Sequence, residues 1–331
     1  MTDASTTPPR SRRRKSVPAL VGTLLTVVCV VFIVKALSSE WGQVRDDLTR
    51  ASWWWLAAGL GCAALGMIAV AWVWADALRV VGGDVPRRKV VPWYFVGEIG
   101  KYIPGAVWAA VGRGEIARRN GVPAGVSYPS VALSLVGLYL AAALSAAALV
   151  PFGLAREAHT GAWLWVLLLV PIGIVALHPG ILERLRRGVA MLARRELDVV
   201  IPPWNQTIGL VLRYVPAWVG ICTATWCVAR ALPGKPSFVR IALATLISWT
   251  AGFVTPTPGG AGVREEVFVL FSGLGVGPGT AIAVASRLLF VIVDVVGFVV
   301  GAAVTSSPML QRSSVDSGVP EPPAPAARNE R

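Results

Sequence analysis

Histidine is nearly missing from this chain: His159 and His178 are the only two in 331 residues, and they flank opposite ends of one apolar run. That pair offers no imidazole-based metal site and no histidine-assisted nucleophile. Glu265 and Glu266 stand together as in some intramembrane protease motifs, but no histidine lies near them to complete one. Cysteine is equally sparse. Cys29, Cys62, Cys222 and Cys227 all fall in apolar runs without metal or disulfide spacing, which reads as small buried residues. No GxxxxGK[ST] loop occurs, and GEIGKY at 97–102 lacks its spacing, so no ATP-driven pump is expected. Acidic residues are the scarcer sign, 18 against 31 Lys and Arg, for a net charge of +13.

What the chain has in quantity is apolar surface. Hydrophobic residues make up 55% of it, mean hydropathy is +0.63, and apolar runs of roughly twenty residues recur. This is the composition of an integral membrane protein. The positive charge then reads as topology and attraction to lipid surfaces, with no nucleic-acid partner. Residues 1–16 are basic, residues 307–331 are Pro/Ala-rich, and both read as disordered cytoplasmic tails around one polytopic domain at 17–306.

Six spans are predicted: 17–37, 53–80, 126–151, 160–178, 205–231 and 278–306. Each can cross a ~30 Å hydrocarbon core at about 1.5 Å per residue. The first is long and lacks a convincing cleavage site, so it reads as a retained signal anchor. Residues 179–197 place Ile181, Leu185, Val189 and Leu192 on one helical face, with arginines mostly off it, as in a helix lying on a membrane surface. Residues 41–48 repeat that pattern on a smaller scale.

Two segments interrupt this plan. VPWYFVGEIGKYIPGAVWAAVGRGEIARRNGVP breaks at Pro104-Gly105, and Lys89 and Lys101 leave only eleven residues between them. TPTPGGAGVREE breaks a second apolar region with Pro256, Pro258, Gly259, Gly260 and Gly262. A weak repeat relates them. The first has PG, then Arg113 and Glu115, then GVPA; the second has PGG, then Arg264-Glu265-Glu266, then GVGP. Non-helical backbone at membrane depth persists only inside protein or beside a wet cavity. Each segment therefore reads as a re-entrant pair of half-helices. Three spans separate them, so they open to opposite sides. The expected fold class is all-α integral membrane, about six transmembrane helices plus two re-entrant half-helix hairpins in inverted arrangement.

Half-helix N-termini meeting from opposite faces, with Lys101, Arg113 and Arg264 beside them, favour an anionic group. Arg287 and Asp294 lie deep in the last span, where each costs about 2.5–3.5 kcal/mol if exposed to lipid. They must face protein or water, as structural ion pairs or in a direct substrate role, and Glu265 or Glu266 is the expected partner of Arg287. The expected substrate-binding set therefore adds Arg113, Glu115, Arg287 and Asp294 to the residues of the two breaks. Asp76 and Arg213 are similar but nearer the span ends.

GEIGKYIPGAVW and TPTPGGAGVREE, in this order, resemble the paired signatures of the lysylphosphatidylglycerol synthase transmembrane region, a flippase-like membrane family. The resemblance covers about 17–306. It implies lipid translocation or handling, with Glu98, Gly100, Lys101, Pro104 and Gly105, and Pro256 to Glu266, lining a headgroup site. In multidomain relatives this region moves aminoacylated phosphatidylglycerol made by a separate cytosolic domain. Only 25 residues follow the last predicted span, so synthase activity is not expected. The expected function is flipping of an anionic phospholipid or lipid-linked glycan across the plasma membrane, with no cofactor and no enzymatic activity. The alternatives are a non-transporting anchor for a separate glycosyltransferase or synthase, and a membrane-embedded transferase using carboxylates alone.

Charge bias sets the orientation: 17 Lys and Arg fall on the side of the N-terminal tail, against Arg45, Arg50, Arg156, Lys235 and Arg240 opposite. Both termini are therefore expected in the cytoplasm. Reporter fusions ending near Asn120 and Asp198 should give a cytoplasmic signal, and one near Gly234 an external signal. A cytoplasmic signal at Gly234 removes the inverted arrangement.

Overall fold

A computed structural model describes residues 51–103, 107–154, 201–232, 236–255 and 257–306, with isolated positions between 171 and 191. The tails at 1–16 and 307–331, the predicted span at 17–37 and the 41–48 stretch lie outside the described residues, as does most of 160–178. In the 179–197 stretch the described positions are helical, and Arg187 pairs with Glu183 at 2.8 Å.

The described residues contain helices and no strand: α1 Trp53–Val80, α2 Arg87–Glu98, α3 Trp108–Arg119, α4 Ala124–Leu154, α5 Trp204–Ala231, α6 Phe238–Val254, α7 Val263–Ser272 and α8 Val276–Ser306. Four of them, α1, α4, α5 and α8, are long and apolar enough to cross a membrane, and they match four of the six predicted spans.

Helices α1 and α5 make the most extensive pairing. Their contact is lined by small residues, as lipid-embedded helices require, since apolar side chains gain little by leaving lipid for one another. A Cβ on Gly220 would lie 3.0 Å from Gly66 Cα and 3.2 Å from the Cys62 carbonyl oxygen. Polar groups inside the bundle find partners across it. Trp218 donates to the Leu138 carbonyl (2.8 Å), Trp74 donates to Ser130 (3.2 Å), and the Ser134 and Tyr214 hydroxyls meet at 2.6 Å. The three described cysteines, Cys62, Cys222 and Cys227, are free thiols.

The two interrupted segments form two short helix pairs. Helices α2 and α3 have 12 residues each, about 18 Å, too short to span. A 3₁₀ turn, Ile99–Tyr102, follows α2. The pair packs backbone against backbone: a Cβ on Gly97 would sit 2.8 Å from the Arg113 amide nitrogen, and one on Gly100 would sit 2.7 Å from the Trp108 carbonyl carbon. In the second pair α6 has 17 residues and α7 has 10, joined through a turn at Pro258–Gly260. Gly259 and Gly260 adopt positive φ (57° and 71°), and a Cβ on Gly260 would meet Gly252 Cα at 2.7 Å. The turns Ile99–Tyr102 and Pro258–Gly260 pack against each other, so the two pairs meet tip to tip. Helix α8 runs beside both; Gly301 approaches the Pro92 carbonyl so closely that a Cβ would stand 2.8 Å from it.

Because the Gly220 contact is with backbone, no side chain can yield. Gly220→Val should cost about 1–3 kcal/mol by overpacking and lower the thermal unfolding midpoint in detergent. Gly209→Ala, which has open space around it, should leave the midpoint unchanged or raise it.

Candidate functional site

Where the two tips meet, the bundle encloses a cavity of about 120 Å³ to which all eight helices contribute. At roughly 10–15 Å³ per water on this scale, it holds a small cluster of waters or a phosphate-sized group, and not a diacyl lipid. Its walls are aromatic and charged together.

Three charged clusters border it. Lys101, in the 3₁₀ turn, reaches Asp294 of α8 at 2.7 Å and Glu98 at 3.3 Å. The Tyr102 hydroxyl donates to the same Asp294 oxygen at 2.6 Å. Asp294 is buried, and among the described residues its second oxygen, Oδ1, has no hydrogen-bond partner. Arg113 of α3 stands 3.9 Å from Glu98 and faces the Tyr94 ring at 5.2 Å. On the other tip, Arg287 of α8 bonds Glu265 at 2.6 Å. The second Glu265 oxygen accepts the Gly262 N–H at 2.8 Å, which caps the start of α7.

Arg264 differs from the rest. Among the described residues it has no carboxylate partner. Its guanidinium lies over the Trp249 ring at 4.1 Å and near Phe290 at 5.7 Å. Such contacts stabilise a desolvated cation by about 2 kcal/mol without neutralising it. Four cations (Lys101, Arg113, Arg264, Arg287) against three carboxylates (Glu98, Glu265, Asp294) leave one positive charge in excess. The arrangement can hold a monoanionic group with Arg264 as its counter-ion.

Most of the residues expected from sequence converge here: Glu98, Lys101, Arg113, Gly259, Gly260, Arg264, Arg287 and Asp294 line the cavity, with Glu265 behind Arg287. Gly100 is buried beneath, spacing the turn from α3. Pro258 lies in the second turn, while Pro104, Gly105 and Pro256 lie outside the described residues. Three residues of the expected set lie away from the cavity lining. Glu115 does not join Arg113 there: residues two apart on a helix face different ways, and Glu115 bonds Arg118 (2.7 Å) and Arg119 (2.8 Å) instead. Gly262 and Glu266 are exposed and do not line the cavity. The α7 N-terminus is also less open to a ligand than expected, because Glu265 takes the Gly262 N–H. The aromatic lining, Tyr94, Tyr102, Tyr139, Trp249 and Phe290, was not anticipated; only Tyr102, adjacent to Lys101 in the broken motif, carried a signal.

Apolar helices of spanning length around a charged, partly open cavity define a multi-pass helical membrane protein. The family model described as the lysylphosphatidylglycerol synthase TM region matches residues 19–301, and the chain belongs to that family. No curated protein matches it.

Lys101→Met leaves Asp294 buried with its nearest cation gone. The loss should be about 3–5 kcal/mol, read as a fall in the thermal midpoint of the purified protein. Lys101→Met combined with Asp294→Asn should recover at least half of that fall.

Proposed function

We propose that this protein flips an anionic phospholipid or a lipid-linked glycan intermediate across the plasma membrane, without ATP hydrolysis and without chemistry on its substrate. The single observation that supports this reading best is Arg264, a half-buried cation without a carboxylate partner among the described residues, held at the cavity between two helix-pair tips. A charged headgroup crossing hydrocarbon alone faces a large barrier, and a polar cavity with a positive excess lowers it. The cavity volume fits the phosphate of a headgroup while the acyl chains stay in the bilayer. Membership of the lysylphosphatidylglycerol synthase TM region family agrees with lipid handling.

In this reading the α2–α3 and α6–α7 pairs are re-entrant hairpins inserted from opposite faces, within six spans and with both termini cytoplasmic. Their short helices and contacting tips support that arrangement. Membrane lipids are the partners, and a lipid or ion gradient drives the movement. Asp294, whose buried Oδ1 lacks a partner among the described residues, Glu98 and Glu265 are the candidate proton carriers.

Purified protein in liposomes carrying fluorescent phosphatidylglycerol or a lipid-linked sugar on one leaflet tests the proposal. Translocation should exceed that of empty liposomes, need no ATP, and be lost in Arg264→Ala while Arg264→Lys keeps part of it. If no lipid in a broad panel moves faster than in empty liposomes, the protein is better read as an anchor for a separate glycosyltransferase or synthase.

A further inference from the structure

A second charged cluster lies away from the cavity, where the end of α1, the start of α2 and the first half of α5 come together. Its centre is Asp76, whose side chain is only 7% exposed. Three arginines converge on that carboxylate: Arg87 at 2.7 Å, Arg213 at 3.2 Å and Arg79 at 3.4 Å. One carboxylate neutralises one of them, which leaves two positive charges. No acidic residue stands in the first turn of α2 to offset them. The side chains of Arg79, Arg87 and Arg213 remain 45%, 47% and 61% exposed. The buried carboxylate thus fixes a cationic fork that points outward.

Arg213 identifies what the fork faces. It is the tenth residue of α5, about 14 Å from the helix start. It borders an exposed apolar stripe of Ile208, Leu212 and Val219. Helical side chains lean toward the N-terminus, so its guanidinium reaches back toward the end where Asp76 lies. An exposed arginine beside a lipid-facing stripe is costly at hydrocarbon depth and is favoured at the level of lipid phosphates.

We infer that Asp76, Arg79, Arg87 and Arg213 form a docking site for the phosphodiester of an anionic phospholipid, with an acyl chain lying along Leu212 and Val219. The site is separate from the cavity and does not require that the protein transports anything. Its test is therefore run in the Arg264→Ala background, which removes the excess cation of the cavity. Native mass spectrometry of the detergent-purified protein is read during titration with short-chain phosphatidylglycerol, short-chain phosphatidylcholine, inorganic phosphate or a glutamate-rich peptide.

Phosphatidylglycerol should bind about tenfold more tightly than phosphatidylcholine, and Arg87→Gln with Arg213→Gln should remove that preference. Arg79→Gln alone should weaken it several-fold, which supplies the reading if the double variant does not fold. Asp76→Asn keeps all three guanidinium groups but releases the anchor that fixes them, so it should weaken phosphatidylglycerol binding less than the arginine double variant does. Unchanged binding in the arginine variants overturns the site. Equal affinity for inorganic phosphate, or a preference for the acidic peptide, overturns the lipid assignment.

Discussion

Charge neutralisation away from water is the constraint on which the rest of this molecule depends. Helix α8 carries Arg287 and Asp294, of opposite sign and seven residues apart on one face. Each anchors a different broken helix pair. Asp294 takes Lys101 and Tyr102 from the first tip, and Arg287 takes Glu265 from the second. Remove either link and a buried charge is stranded, a loss that apolar contacts around a cavity do not replace. The cavity exists because these links hold two turns together where lipid or close packing would otherwise close the space. Glycine does the complementary work. Gly97, Gly100 and Gly260 bring backbone against backbone, so that the charged side chains reach each other.

The coarse architecture was legible from the sequence because hydrocarbon thickness imposes a length, and four long helices reproduce the expected runs almost residue for residue. The broken pairs were legible for the opposite reason, since proline, glycine and charge inside apolar sequence have few tolerated placements in a membrane. The Arg287–Glu265 contact followed from counting buried charges that needed partners. Long-range pairing was not legible: nothing local to Lys101 points to Asp294, which lies 193 positions further along the chain. Glu115 misled because its nearness to Arg113 in sequence is undone by helical geometry. The aromatic wall stayed hidden because Tyr94, Trp249 and Phe290 each read as ordinary core until the fold places Tyr94 beside Arg113 and the other two beside Arg264.

Arg264 and the Asp76 cluster handle positive charge in two different ways. At Arg264 the guanidinium is spread over the faces of Trp249 and Phe290, which soften its desolvation while leaving its charge to act on whatever occupies the cavity. At Asp76 a carboxylate is shared among three arginines that keep contact with the surroundings. The first suits a cavity within the bundle and the second a boundary with polar groups nearby.

Glu265 has a consequence for how this sequence can drift over generations. One of its oxygens holds Arg287 and the other holds the Gly262 amide, so a single carboxylate of one particular length serves two helices at once. Aspartate is one methylene shorter and cannot keep both bonds without moving α7, and glutamine keeps the shape but strands the arginine. No single substitution at Glu265 or Arg287 leads to an equivalent arrangement without passing through a form that carries an unmatched interior charge. Lineages descending from this chain should vary freely along the lipid-facing stripes while Glu265 and Arg287 stay fixed or are exchanged together.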